Sequence, residues 1–300
     1  MNKNYDIIGI GYCGLDHLCL LPKIPHDDKI QMEKHLIQGG GPCATAIFTA
    51  SRLGAKTAFA SVVGDDGKGA NIIKELEKEG VDTSRIAIRS NSESAVSYCW
   101  AESSTGHRSV AWTKGDASPL KADELDEEFI KSTKILHLDG HQMDAALRAA
   151  EIAKLNGIKV FLDAGSLYPR MEELMTFCDV IIASEKFAGQ LLGSDNPQEA
   201  LKKIYSFGAE WCAVTLGNKG ALGYDGKDFI SQDSFNVDVV DTTGAGDVYH
   251  GAFVYRYSKG GDWSQCMKFA SAVAAMKCTE LGGRTGIPDL NAVQKFLEKK

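Results

Sequence analysis

The sequence predicts an α/β protein, with a doubly wound, mostly parallel sheet and a small antiparallel β-sheet inserted into it. Three observations predict this. Short apolar runs at 57–63, 134–138, 158–162, 179–182 and 211–216 are each followed by a stretch of helical period, the pattern of repeated βαβ units. The first four runs are continuously apolar, as strands buried on both faces require. Two other tracts, around 29–37 and 95–112, alternate apolar with polar residues and break that rhythm, as a sheet with one wet face would.

In chain order, Met1–Asp6 leads straight into strand-like Ile7-Ile8-Gly9-Ile10, with no leader-like apolar segment and no cleavage site. Gly9-Ile10-Gly11-Tyr12-Cys13-Gly14 has the G-x-G-x-x-G spacing of a dinucleotide site. Pro22 and Pro25 follow too soon for the helix such a site needs, and Asp27-Asp28 precede the expected ribose-binding acid. A tight turn between two strands fits better. Lys29–Ile37, and Ala95–Glu102 paired with His107–Trp112 across Ser103-Ser104-Thr105-Gly106, are the predicted strands of the inserted sheet. Its single apolar face has to be covered, by a substrate or by a second copy of the chain. The acidic run Asp123–Glu128 predicts a solvated helix start, where carboxylates meet the positive end of the helix dipole. Met143–Leu155 carries apolar residues at 143, 146, 147, 150 and 153, a helix; beyond Thr243 helices are predicted at 245–258, 264–281 and 289–298. We expect one domain over 1–300, with the small sheet as its lid.

Composition narrows the function. The 300 residues carry 33 Lys and Arg against 40 Asp and Glu, a net charge of −7. No basic stripe interleaves with aromatics, so nucleic acid is not an expected partner. No run approaches the ~20 apolar residues of a membrane span. Eight cysteines lack C-x-x-C spacing and mostly sit in apolar runs; they read as reduced core residues, and a cytoplasmic location is expected. There is no G-x-x-x-x-G-K-[ST], no H-E-x-x-H and no ligand spacing among the seven histidines, which excludes a P-loop or zincin motif.

The chemistry concentrates in Asp241-Thr242-Thr243-Gly244-Ala245-Gly246-Asp247, which opens the 245–258 helix. Amides of a first helical turn lack intrahelical acceptors and sit at the positive end of the dipole, so they suit an anion such as a transferring phosphoryl group. Asp247 reads in two ways, as a capping residue or as the base that deprotonates an attacking hydroxyl. The tract alone leaves both open.

With these residues the chain resembles the PfkB/ribokinase family of ATP-dependent carbohydrate kinases. Residues 241–254 match that family's C-terminal signature. Asp16, Gly39-Gly40-Gly41-Pro42, Val63-Gly64-Asp65-Asp66 with Gly69, Thr215-Leu216-Gly217 with Gly220, and Gly282-Gly283-Arg284 follow in the same order. The resemblance implies a ribokinase-like fold with a β-lid, and ATP and Mg²⁺ as reactants. It makes Asp247 the general base and the amides of Gly244, Ala245 and Gly246 an anion hole. Asp16 binds sugar hydroxyls, while Gly40 and Gly41 admit the sugar to the backbone and flex with the lid. Thr215, Gly217 and Gly220 line the nucleotide's phosphates and ribose, with Ser271 near the adenine. Asp241 and the carbonyl of Thr243 help bind a monovalent cation such as K⁺. The half-buried lid sheet, too small to be stable alone, predicts a homodimer joined through it.

Two positions depart from the family. Thr45 stands where an Asn often touches substrate, so the sugar is held differently. The Asn-x-x-Glu motif falls on Ser184-Glu185-Lys186-Phe187, so Ser184 takes the nucleotide-side position and Glu185 or a water network has to replace the magnesium-linked Glu. Arg108 and Asp139 complete the candidate substrate set, although Asp139 reads better as structural than as substrate-contacting. The branch most resembled holds sulfofructose and related ketose kinases. Arg108 and Lys114 make no convincing anion clamp, which favours a neutral or weakly acidic sugar, a ketose or keto-acid. Two alternatives stay open. One is a nucleoside kinase stacking a base on Tyr98, Trp100 or Trp112; the other is a silent sugar-binding regulator.

Overall fold

The computed structural model describes residues 3–105 and 107–299. The chain enters the body on β1 (Tyr5–Ile10), leaves it through β2 (Gly14–Leu21) and β3 (Lys34–Gly40), and returns through α1 (Pro42–Arg52), β4 (Thr57–Gly64), α2 (Gly67–Lys78) and β5 (Asp82–Arg89). A second excursion makes β6 (Val96–Glu102) and β7 (Arg108–Thr113). There follow α3 (Glu127–Lys131), β8 (Thr133–Leu138), α4 (Met143–Leu155), β9 (Lys159–Ala164), α5 (Met171–Met175), β10 (Val180–Ser184), α6 (Glu185–Leu192), α7 (Pro197–Tyr205) and β11 (Trp211–Thr215). The hairpin β12 (Ala221–Tyr224) and β13 (Phe229–Gln232) precedes the closing helices α8 (Ala245–Ser258), α9 (Trp263–Lys277) and α10 (Leu290–Leu297).

The large sheet has the order β13-β12-β11-β10-β9-β8-β1-β4-β5, parallel except at β12 and β13. Successive residues feed opposite cores. Ile7, Phe59, Phe161 and Trp211 pack under α1, α2, α8, α9 and α10, while Ile8, Leu136, Leu162 and Ile181 pack under α3 to α7. Burying each such side chain contributes ~1.5–3 kcal/mol, and this two-sided burial produces the continuous apolar runs. All eight cysteines are buried and unbridged.

The small sheet has the order β3-β2-β6-β7, with antiparallel pairs at both edges and a parallel pair, β2 with β6, at its centre. Of the expected lid strands, 95–102 and 107–112 lie within a residue of β6 and β7, with Gly106 of their turn outside the described residues. The 29–37 strand lies instead at Lys34–Gly40 and pairs with β2, whose two-faced Gly14–Leu21 run gave no clear alternation. The lid is tied to the body through Ser94. Its amide and hydroxyl donate to Asp66, the N-cap of α2, and its hydroxyl accepts from the Gly64 amide. The Val63–Gly69 motif is thus a joint of the framework.

Two further expectations need correction. The 211–216 run leads into no helix, because a short turn over Gly217–Lys219 sends the chain back as β12, with Gly217 and Gly220 at positive φ. The 264–281 helix stops at Lys277, where the glycine-rich 282–286 segment turns away. β5, with polar residues on its outer face, was not anticipated.

Candidate active site

The first turn of α8 lies where the body meets the lid. Gly244 caps it in the left-handed region, φ 72°, and a Cβ there would stand 3.1 Å from the Gly283 backbone; both facts require glycine. The Ala245 amide donates to the Thr242 carbonyl at 3.2 Å, so it is already engaged. The amides of Gly246 and Asp247 follow in the first turn, where helical geometry supplies no acceptor.

Burial, reinforced by the charges of Asp16 and Asp139, pushes the Asp247 carboxyl up to about 6, against the opposing pull of Arg284 and Lys277. Behind it lies Asp163, 3.2 Å from His250 Nε2 and almost fully buried. Burial and the neighbouring Asp247 raise Asp163 well above the usual carboxylate range, and burial keeps His250 neutral. Asp241 differs. Although burial opposes ionisation, donors from Thr243 N, Thr243 Oγ1 and Gly282 N, with the charge of Lys277, hold its carboxyl below the ordinary value.

One side of this turn opens on a cleft of ≈ 420 Å³. Four of the five residues expected around a nucleotide, Thr215, Gly217, Gly220 and Ser271, line it together with Ala245 and Gly246. The reading missed the Ser234–Val239 wall and Tyr249, which carry no motif. Ser184 is not in the lining; it caps α6, accepting from Phe187 N and donating to the Gly165 carbonyl. Glu185 is exposed on the first turn of α6, while Phe187 is fully buried in the core. The family's acidic position is therefore a packing position here. Among the described residues no cluster of three His, Cys, Asp or Glu side chains forms a metal cage, as expected of a Mg²⁺ that is carried largely by phosphates and water.

The other side is built around Asp16 on β2. Ser97 of β6 donates to its Oδ1 at 2.6 Å. A Cβ on Gly40 would sit 2.0 Å from its Oδ2, so only glycine fits beside it, and Gly41 follows at φ 99°. Burial raises the Asp16 carboxyl, with Ser97 and Arg284 opposing. Arg284, 2% exposed, reaches Thr45 Oγ1 at 3.2 Å, Glu75 Oε1 at 3.3 Å and the Gly40 carbonyl at 3.3 Å, and lies 4.9 Å over the Phe48 ring. From β3, Gln38 accepts from the amides of Gly283 and Arg284 and donates to the Thr285 hydroxyl.

Two substrate expectations change. Thr45 is 2% exposed and its hydroxyl holds Arg284. Asp139 accepts from the amides of Tyr12, Cys43 and His141, which makes it a brace for the turn after β1 and the start of α1. The Arg108 side chain lies outside what is described. At the position expected for a monovalent cation, the Asp241 carbonyl accepts from Lys277 Nζ at 2.8 Å. Arg284, Gln38, Ser97 and Lys277 were given no role from sequence. Lys277 had left a signal, since helical spacing places it on the stripe of buried Ala270 and Val273.

The fold and this two-sided cleft define a phosphotransferase of the ribokinase-like class. The chain belongs to the pfkB family of carbohydrate kinases, whose model matches residues 6–290. It is 29% identical to a ribokinase of Haemophilus influenzae over 96% of this chain and 97% of that one. It is 28% identical to a 5-dehydro-2-deoxygluconokinase of Clostridium perfringens over 99% and 94%. An Arabidopsis thaliana ribokinase, solved with ribose and ATP, superposes with a TM-score of 0.86 at 24% identity, covering 99% of each chain.

Proposed function

We propose that the protein transfers the γ-phosphoryl group of ATP to a hydroxyl of a ketose or keto-sugar acid. The observation that carries this is the place of Asp247, between the nucleotide cleft and the Asp16–Arg284 wall. ATP lies along Thr215, Gly217, Gly220 and Ser271 with its terminal phosphate at the Gly246 amide. Asp16, held by Ser97, accepts from sugar hydroxyls in charge-assisted bonds. Asp247 takes the proton of the attacking hydroxyl as its oxygen bonds to phosphorus and ADP leaves. A carboxyl raised toward neutrality is a better base than an ordinary one, yet is still ionised at pH 7. Mg²⁺ enters on the triphosphate, neutralising its charge. The closed lid keeps water from the phosphoryl group.

The substrate class rests on two features. The relative named 5-dehydro-2-deoxygluconokinase is by that name a kinase of a keto sugar acid. Arg284 supplies a cation under the lid, but Glu75 offsets it, which suits a neutral or singly charged sugar better than a sulfonate or phosphate. For a nucleoside, Trp112 alone of the three lid aromatics shares the face of Asp16 and Ser97; Tyr98 and Trp100 take the opposite face by strand alternation. ADP release from Mg·ATP across ketoses, sugar acids, sulfosugars and nucleosides decides. Turnover confined to sulfosugars, sugar phosphates or nucleosides would remove this reading.

Exposed apolar side chains on both faces of the lid, Val110 and Trp112 on the face of Asp16 and Ile37 and Tyr98 on the other, support a homodimer through this sheet, since a small sheet needs its apolar surface covered. Sedimentation showing only monomer at micromolar concentration counts against it.

A further inference from the structure

Lys277 is fully buried at the end of α9. A lysine removed from water is costly unless its ammonium is hydrogen-bonded, and Nζ donates to the Asp241 carbonyl at 2.8 Å. The segment that follows grips the same loop. The Cys278 carbonyl accepts from Val240 N at 2.8 Å and Asp241 N at 3.2 Å, and Gly282 N donates to Asp241 Oδ2 at 2.9 Å. The Asp241 carboxylate also takes both donors of Thr243, one residue before the Gly244 cap of α8. Asp241 is the side chain that the family resemblance offered to a monovalent cation, beside the Thr243 carbonyl. Its oxygens are already engaged. The Asp241 carbonyl already meets a positive charge, and both carboxylate oxygens hold N–H or O–H donors.

We propose that the Lys277 ammonium is the resident cation of this site, a positioning residue that fixes the Asp241–Gly244 turn, so that the enzyme works without added potassium. The ammonium resembles K⁺ in charge and is tethered, so its local concentration does not vary with the medium. Its charge also reaches Asp247, favouring the ionised form, and adds to the positive end of α8 where the phosphoryl group settles.

The inference rests on the phosphoryl-transfer reading for its kinetic arm alone. ADP release by the parent protein is measured in KCl, NaCl and choline chloride at equal ionic strength, beside thermal unfolding in the same salts. We expect rates within twofold and no potassium-specific shift in Tm. Activation above tenfold by KCl, or a Tm rise specific to KCl, overturns the proposal. Lys277→Met removes the charge and keeps an apolar stem. It is expected to lower kcat by ~10²-fold and to acquire a response to KCl or methylammonium, in rate and in Tm, that the parent lacks. A variant as active as the parent, or one folded but slow and indifferent to every cation, overturns it. If that variant does not fold, the parent's salt profile decides. If no sugar is turned over, the Tm arm still decides, which separates failure of this proposal from failure of the kinase reading.

Discussion

On the side of the cleft proposed for the phosphates, residues 241–247 carry the anchoring carboxylate, the Gly-rich turn and Asp247 within seven consecutive positions. The side proposed for the sugar draws Asp16 from β2, Gly40 from β3, Thr45 from α1, Ser97 from β6 and Arg284 from the turn after α9. Backbone geometry makes the first site, since any chain that caps a helix with Gly244 at φ 72° presents its amides there. Strand register makes the second, since Ser97 meets Asp16 only because β6 pairs with β2 in one alignment. A site built by local geometry tolerates distant change, whereas one built by register depends on the whole lid.

The largest effect tests the local site. Asp247→Asn is expected to reduce kcat by ~10³-fold with nucleotide binding retained, measured by ADP release and nucleotide titration. Because Asp247 is raised to about 6, parent kcat/KM should climb as pH rises through that value. Stability runs the other way. A carboxyl raised in the folded state has no cost below the ordinary 3.8, where both states hold the proton, and its full cost above about 6. The Asn variant should therefore melt with the parent at pH 4 and above it at pH 8, by about 3 kcal/mol at most. A variant less stable at pH 8 would contradict the burial of this charge.

An intermediate effect tests the dispersed site. Arg284→Met leaves Glu75 and the Gly40 carbonyl without their guanidinium, and should cost ~3 kcal/mol in urea unfolding. Sugar KM should rise more than nucleotide KM. Lysine should not restore it, because one ammonium cannot reproduce the fork that reaches Thr45, Glu75 and Gly40 at once. Equal changes in the two KM values would mean that the walls are not separate.

The smallest effect is Thr45→Ser. It keeps the hydroxyl that accepts from Arg284 and removes one buried methyl, so about 1 kcal/mol of stability and less than threefold in sugar KM are expected. A tenfold KM change would return Thr45 to direct contact with the sugar.

The same contrast explains what the sequence made legible. The parallel sheet was readable because Ile7 and Ile8 feed different cores, leaving no polar alternation. The cleft wall was readable where a turn needed glycine, at Gly217 and Gly220, and silent along Ser234–Val239, where the chain simply passes. Thr45 reads as a substrate contact from sequence because its polarity is visible and its partner is not, whereas Asp139, a candidate that reads better as structural, is borne out in that role. Asp139 spends its acceptors on three amides from two other segments and its own turn. Arg284 was seen within a motif but given no part, since its partners on α1, α2 and β3 lie more than 200 positions away.

The Gly282–Thr285 turn belongs to both walls. Gly282 holds Asp241 on the phosphate side, while Gly283, Arg284 and Thr285 hold Gln38 and Gly40 on the lid. Two ligands that lean on one joint are thermodynamically linked, and linkage is reciprocal. On the proposed function, by whatever factor bound sugar improves the affinity for nucleotide, bound nucleotide must improve the affinity for sugar. The order of arrival never alters the free energy of the ternary complex; what these four residues would set is how strongly each substrate recruits the other.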